Sequence, residues 1–326
     1  MRILNRVALS KALSHAQCIA ALDPAMRAVS DQRTIMPLRQ YIDIPGSDGK
    51  FTLMPGYIDE PRSFGFKVVA KYPRAPDSPY GSHVGAVMVF DADEGIPVAM
   101  VDGAELTAIR TSAASALATR ELARQDATVL AILGTGAQAE HHIHAIRAVR
   151  AITHVRIWGR HRERAQALVQ RMQLPDNIQT HVADDAANAV LGADIVCTTT
   201  AAKTPLLSAA SLAEGCHVNL VGAAIIEAAE VDVDVVAKSR FFVDYRPSAM
   251  AQAGELAAAI EQGVIDASHI AGEIGEVLSG RIDARQHDEQ LTVYKSLGVA
   301  AQDLAAAMAA CANAQQHDLG VNVDWH

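Results

Sequence analysis

The run Gly134-Thr135-Gly136-Ala137-Gln138-Ala139 follows the apolar stretch Val129-Leu130-Ala131-Ile132-Leu133 and opens a segment of helical period. Gly134 permits a tight turn, Gly136 lets backbone approach a pyrophosphate, and Ala139 keeps the helix close to its strand. With Ala137 and Gln138, the helix start offers N–H groups and a positive dipole end to phosphates. The glycines alone also suit a ligand-free βα turn, but here strand, turn, helix and next strand fall in order. The second strand ends in Ile157-Trp158-Gly159-Arg160-His161-Arg162-Glu163. An acid at that end would bind a ribose 2′-hydroxyl, whereas arginine suits a 2′-phosphate. Arg160 and Arg162 therefore favour NADPH over NADH, the other reading being a solvated basic helix start.

Three cations of the first part keep apolar company. Lys67, in Phe64-Gly65-Phe66-Lys67-Val68-Val69-Ala70, lies on the strand face opposite Phe64, Phe66 and Val68. Partial burial would lower its pKa and suit it to proton transfer. Arg110 projects from a helical stripe that continues through Ala113, Ala114 and Leu117. Arg39 sits in Met36-Pro37-Leu38-Arg39-Gln40-Tyr41. A guanidinium in such a setting needs an anion, and a substrate carboxylate fits its fork. Structural ion pairs or snorkelling side chains are the other reading of each residue. Composition does not show that the three converge.

Other residues carry less. His141, His142 and His144 share the helix after the glycine turn without a matching set of carboxylates or thiols, so they read as helix-surface residues and no metal site is expected. Ser82-His83 begins a strand. No Gly-x-Ser-x-Gly elbow occurs, which argues against a serine hydrolase.

These residues must be positioned by elements that the periodicity outlines. A helix is expected over 8–29, followed by strands at 51–58, 64–72, 84–90 and 97–101. The last two form a hairpin through Asp91-Ala92-Asp93-Glu94-Gly95, implying an antiparallel sheet. An Ala-rich helix runs from about Glu105 to Arg124. Strands and helices then alternate: strand 128–133, helix 137–150, strand 154–158, helix 161–172, strand 179–182, helix 184–190, strand 194–198, helix 208–213, strand 217–221 and strand 240–243. Helices at 247–259, 270–278 and 291–313 complete the chain. The fold class is thus α/β, a Rossmann-type doubly wound parallel sheet at 113–289. Residues 1–112 read as an α+β segment on which the last helix could return to pack.

The chain has 326 residues, half of them hydrophobic and a fifth charged, enough for two ordinary cores. A net charge of −9 without a Lys/Arg run gives no footprint for nucleic acid or an acidic membrane. No apolar stretch approaches the roughly 20 residues that span a bilayer. Cys18, Cys197, Cys216 and Cys311 are scattered. A reduced cytoplasmic setting without disulfides is expected.

The chain resembles the ornithine cyclodeaminase/mu-crystallin family over essentially its whole length. The resemblance rests on Met36-Pro37-Leu38-Arg39, Phe66-Lys67-Val68, Arg110-Thr111-Ser112-Ala113-Ala114 and the glycine turn. It continues in Gly215-Cys216-His217-Val218-Asn219-Leu220-Val221-Gly222, Ile274-Gly275-Glu276-Val277 and Thr292-Val293-Tyr294-Lys295-Ser296-Leu297-Gly298. It implies a homodimer in which residues 1–112 with 290–326 make an α+β substrate-binding and dimerisation domain, and in which Arg39, Lys67 and Arg110 bind an α-carboxylate, with catalytic Lys67 near the reacting carbon. It also implies cofactor contacts from Ser82, His83, Arg110, Thr111, Ala137, Gln138, Arg160, Thr200, Val221, Ser296 and Leu297.

Cyclodeaminases of the family carry an aspartate soon after the glycine matching Gly222, where this chain has Ala223-Ala224-Ile225-Ile226-Glu227. The matching position is Ala224, beside the cofactor, and Glu227 is the nearest acid. Alanine cannot serve as a base for amine and ring-closure chemistry, while reduction of a preformed cyclic imine asks less. The expected function is therefore an NADPH-dependent reductase of Δ1-pyrroline-2-carboxylate or Δ1-piperideine-2-carboxylate, giving proline or pipecolate. A cyclodeaminase, an alanine-type dehydrogenase, and a non-catalytic NADPH- and ligand-binding protein remain the alternatives.

Overall fold

In the computed structural model of the chain, residues 1–73 and 83–325 are described, His83 through its backbone alone. They divide into two units, Met1–Arg110 with Gly298–His326, and Thr111–Leu297. The division falls inside one helix, Gly103–Leu122, and again just before Gly298. The expected boundaries at 112 and 290 are close to the first but too early for the second. Thr292–Lys295 is a strand of the second unit, so its residues do not belong with the first.

The first unit is built on an eight-stranded sheet. Its order is Val321–Asn322, Arg2–Leu4, Pro97–Asp102, His83–Asp91, Arg62–Lys71, Lys50–Asp59 and Thr34–Ile35, with Gln40–Asp43 also on Lys50–Asp59. Pairing is antiparallel except between Arg2–Leu4 and Pro97–Asp102. The hairpin through Asp91–Gly95 forms as its turn residues predict, with Gly95 at φ +72°.

One face of this sheet carries the helices. Ala300–Gln316 packs on His15–Ser30 and on strands Lys50–Asp59 and Arg62–Lys71. Its alanines let it sit close, and so does Gly65, where a Cβ would lie 2.1 Å from Met88 O and 3.1 Å from Leu304 Cδ2. The side chains alternate along Arg62–Lys71, with Ser63, Gly65 and Lys67 buried and Phe64 turned out. Lys67 thus takes the helix-covered face, and the aromatic residues take the other, where Phe64 stacks on Phe90 at 5.1 Å.

The expected helix over 8–29 is two helices, Arg6–Ala12 and His15–Ser30. Ser14 ends the run because its hydroxyl caps the second helix in a capping box with Gln17.

In the second unit eight parallel strands form a doubly wound sheet. The order is Gln179–Val182, His154–Trp158, Val129–Leu133, Ile195–Thr198, His217–Leu220, Thr292–Lys295, Arg240–Val243 and Ile270–Glu273. The central runs are buried along their length, as strands covered on both faces must be.

Four expected helices are corrected here. Residues 292–295 of the expected helix 291–313 are strand, since Thr292, Val293 and Tyr294 suit a pleated, fully buried position; the helix starts at Ala300, past Gly298 at φ +79°. Ile270–Glu273 is an edge strand before the short helix Ile274–Leu278. Residues 247–259 form two helices, Arg246–Gln252 and Gly254–Glu261, which bend at the extended Ala253. Ala209–Ser211 is a single 3-10 turn.

Among the described residues no helix is long and apolar enough to cross a membrane. All four cysteines are free and buried.

Candidate active site

In the first unit the three cations read from the sequence come together around an acid that the sequence reading missed. Lys67 lies between Met54 and Val87 on the neighbouring strands, 4% exposed. Its Nζ donates to Asp303 Oδ1 at 2.9 Å. Arg110 donates from Nε to the same Oδ1 at 3.0 Å and from Nη1 to Gln302 Oε1 at 2.9 Å. Arg39, in the segment between two strands, donates from Nη2 to Gly298 O at 2.8 Å. Gly298 in turn lies against Arg110: a Cβ there would be 2.3 Å from Nη1, so a side chain at this position, already disfavoured by φ +79°, would displace the guanidinium.

Asp303 stands in the first turn of Ala300–Gln316 and is 1% exposed. Three cationic side chains therefore surround one carboxylate, leaving an excess of positive charge that suits a second carboxylate. Burial pushes the Lys67 ammonium down to about 7, helped by the charges of Arg110 and Arg39 and opposed by Asp303. Burial alone would raise the Asp303 carboxyl, but Arg110 and Lys67 outweigh it and hold Asp303 below the usual range. The burial expected for Lys67 was partial, and the structure makes it nearly complete.

In the second unit the glycine turn has the form its sequence predicts. Gly134 sits at φ +127°, and a Cβ there would lie 2.5 Å from Thr199 Oγ1 and 2.7 Å from Thr199 O. Its N–H donates to Trp158 O at 2.8 Å. Gly136 is the N-cap of Ala137–Arg147, with no side-chain cap and open space where its Cβ would be. Ala139 is fully buried at the third small position.

The residues proposed around a cofactor follow the carboxyl ends of adjacent parallel strands. Thr200 follows Ile195–Thr198, Val221 and Ala224 follow His217–Leu220, and Ser296 and Leu297 follow Thr292–Lys295. The chain runs from Val129–Leu133 out to one edge of the sheet and returns to Ile195–Thr198 on the other side. Ligands of open α/β sheets bind at such a switch point. Thr111, 7% exposed, begins this unit's share of helix Gly103–Leu122. Leu297 is held by its N–H to Asp244 Oδ2 at 2.8 Å.

The residues present fit a dinucleotide. The Ser296 hydroxyl is buried and has no hydrogen-bond partner among the described residues, and the cradle at Gly136 is open. After strand His154–Trp158, Arg160 is exposed and pairs with nothing among the described residues. Arg162 is drawn into an ion pair with Asp184, which leaves Arg160 as the uncommitted cation. Ser82 lies outside the described residues, as does the His83 side chain.

The histidine reading needs a correction. His142 is fully buried, not on the helix surface. Its Nδ1 meets Gln138 O at 2.7 Å and its Nε2 meets Ser115 Oγ at 2.9 Å. Burial pushes its imidazole down to about 4, so it stays neutral and structural. Of the acids after Gly222, Glu227 is exposed and Glu230 is fully buried.

Comparisons with known proteins agree over the full length. The family model for the ornithine cyclodeaminase/mu-crystallin family matches residues 1–318. A Δ1-pyrroline-2-carboxylate reductase of Bacillus cereus is 32% identical over 326 residues, covering 100% of both chains. The solved structure of Thermococcus litoralis Δ1-pyrroline-2-carboxylate reductase in complex with NADH and L-proline is 30% identical. It superposes with a TM-score of 0.94 over 99% of this chain and 100% of that one. An archaeal alanine dehydrogenase dimer with bound NAD is 28% identical, with a TM-score of 0.91 over 100% and 99% of the two chains.

Proposed function

The chain belongs to the ornithine cyclodeaminase/mu-crystallin family, and from that premise we propose that it is an NADPH-dependent reductase of small cyclic α-imino acids. Its substrates are Δ1-pyrroline-2-carboxylate and Δ1-piperideine-2-carboxylate, and its products proline and pipecolate. The observation that carries this reading is the cluster of Arg39, Lys67 and Arg110 around the single acid Asp303. The similarity to proteins named for pyrroline-2-carboxylate reduction supports it.

In this reading the first unit binds substrate and the second binds cofactor. Arg39, Lys67 and Arg110 hold the α-carboxylate, and Asp303 fixes the orientation of the latter two. When bound, the reduced nicotinamide supplies hydride to the C=N carbon. Lys67, poised near neutrality, can give a proton from Nζ to the ring nitrogen. Gly134, Gly136, Ala137 and Gln138 cradle the pyrophosphate, and Ser296 offers its unpaired hydroxyl to the cofactor. Ala224 provides no carboxylate for a deaminating cycle. The test is a substrate panel: pyrroline-2-carboxylate, piperideine-2-carboxylate, pyruvate with ammonia, and ornithine with oxidised cofactor. Rapid NADPH oxidation by the two imines supports the reading. Ornithine turnover at a matching rate, oxidation that requires ammonia, or tight cofactor binding without turnover would replace it.

A homodimer completes the proposal, with a second copy covering the outer sheet face that presents Phe64, Val84 and Met100. Sedimentation giving the 34.6 kDa of one chain would contradict it. A cytoplasmic setting, where reduced cofactor is abundant, and the lack of a nucleic-acid or membrane partner fit the acidic chain, whose net charge is −9.

Two predictions arise here. Arg160→Ala should raise the NADPH dissociation constant about tenfold, the loss of one exposed charge-assisted contact, and leave that of NADH unchanged. Equal effects on both cofactors in calorimetric titration would exclude Arg160 from the 2′-phosphate.

The second concerns pH. Lys67 in the free site loses its charge as pH rises through about 7. The inhibition constant of pyrrole-2-carboxylate, whose ring nitrogen does not titrate in this range, should therefore climb above pH 7, by up to about tenfold per unit. A flat profile between pH 6 and 9 would show that Lys67 does not carry the anion.

A further inference from the structure

Glu230 is fully buried, and its carboxylate collects five donors from the loops at the carboxyl edge of the parallel sheet. Oε1 accepts from Thr200 N at 2.9 Å and Thr200 Oγ1 at 2.7 Å. Oε2 accepts from Thr198 Oγ1 at 2.7 Å, Gly222 N at 2.7 Å and Ala223 N at 3.2 Å. Gly222 is required for this closeness, since a Cβ would lie 2.4 Å from Glu230 Oε1 and 2.1 Å from Thr200 O.

The clamp is itself anchored. Glu230 N donates to Glu255 Oε1 at 3.1 Å, and Glu255 Oε2 lies 2.9 Å from Lys295 Nζ, all three side chains being fully buried. Lys295 also donates to Ala223 O at 2.5 Å. One connected polar network thus ties the loops that follow Ile195–Thr198 and His217–Leu220 to Lys295, the last residue of the neighbouring strand. A buried network of this kind is favourable only when each member is satisfied, and it then fixes one geometry. The backbone it fixes is that of Thr200 and of Gly222-Ala223, which flanks Val221 and Ala224.

We infer that Glu230 is a positioning residue that sets Thr200 and the Val221–Ala224 loop in the geometry that receives the cofactor. The inference rests on the reading of the second unit as the cofactor-binding one. Glu230 does not touch the reacting atoms; it acts through the backbone groups and the threonine that it orients. An acceptor-only group is needed, because all five of its partners donate. Glutamine, with an amide NH2 in place of one oxygen, confronts two or three of those donors with another donor.

The test compares wild type, Glu230→Gln and Glu230→Asp by NADPH titration and by steady-state kinetics with pyrroline-2-carboxylate. Glu230→Gln should raise the dissociation constant and the KM for NADPH about tenfold to hundredfold, the effect of a misplacement on the order of 1 Å. The KM for the imino acid should stay within about threefold, and Glu230→Asp should recover part of the cofactor affinity. A purely structural role would lower the melting temperature while folded protein bound NADPH as tightly as wild type, and that result overturns the inference.

If Glu230→Gln yields no folded protein, Thr198→Val carries the test. It removes only the inner hydroxyl that orients Oε2, and it should weaken NADPH binding about threefold or more, an unchanged constant being the contrary result. Wild type that binds neither NADPH nor NADH would remove the reading on which the inference stands. Wild type that binds, with both variants equal to it, removes the inference alone.

Discussion

Asp303→Asn is expected to lower the unfolding free energy by about 3–5 kcal/mol at pH 6, the loss that follows when one member of a buried ionic cluster is neutralised. The replacement keeps the shape and removes only the charge. Asp303 is the acid bonded to both Lys67 and Arg110, and all three are 4% exposed or less. Without it two cations, with Arg39 nearby, face each other in a site that water does not reach.

The pH dependence has a definite sign. The folded-state pKa of Lys67, about 7, lies below its ordinary 10.5. The cost of burying it charged is therefore fully present below pH 7 and relieved as pH rises from 7 towards 10.5. Asp303 raises the Lys67 pKa, so the variant sheds the Lys67 proton at still lower pH. The destabilisation should therefore shrink between pH 6 and pH 9. Urea denaturation at both values checks this. A loss under about 1 kcal/mol at pH 6 would mean that solvent reaches the cluster.

Lys67→Met should lower kcat/KM for pyrroline-2-carboxylate by about thirty- to several-thousand-fold, the 2–5 kcal/mol typical of truncating one side of a desolvated charge pair. Methionine matches the length and apolar surroundings of Lys67, which lies between Met54 and Val87. Stability should change less than in Asp303→Asn, since this replacement removes a surplus cation and leaves the buried carboxylate a charged partner. Arg110 still bonds Asp303 in the variant. The NADPH dissociation constant should be unchanged, because Lys67 belongs to the unit proposed to bind substrate. The rise of the pyrrole-2-carboxylate inhibition constant above pH 7 should disappear. A variant retaining a tenth or more of the wild-type kcat/KM would place the carboxylate elsewhere.

Much of the second unit was legible because its signals are local. The glycine turn, the apolar runs before and after it, and the strand-helix alternation each sit within a few residues, and the structure follows them. The edge strand Ile270–Glu273 and the central strand Thr292–Lys295 were read as helix because short apolar runs carry no decisive period. Only their pairing with distant strands fixes them.

In the first unit the chemistry of Arg39, Lys67 and Arg110 was legible one residue at a time, but their convergence was not. It depends on Ala300–Gln316 returning across the sheet from the far end of the chain. Asp303 escaped notice for the same reason: one acid near the start of an Ala-rich helix reads as a solvated first-turn charge. Its signal was the all-round apolar company of Ala300, Ala301, Leu304 and Ala305, which leaves that turn no wet face. Glu230 was not singled out, because proximity along the chain is a poor guide on a loop that folds back. Its signal was the neighbouring Thr198, Thr200 and Gly222, whose donors need an acceptor.

The most direct measurement is the fate of the transferred hydrogen. Pyrroline-2-carboxylate would be reduced with NADPH carrying deuterium at both C4 positions of the nicotinamide, and the product analysed by mass spectrometry and proton NMR. Hydride delivery to the C=N carbon predicts proline with a single deuterium at the α-carbon, formed in step with NADPH oxidation. Unlabelled proline, or oxidation of NADPH that leaves the imine unchanged, would contradict it.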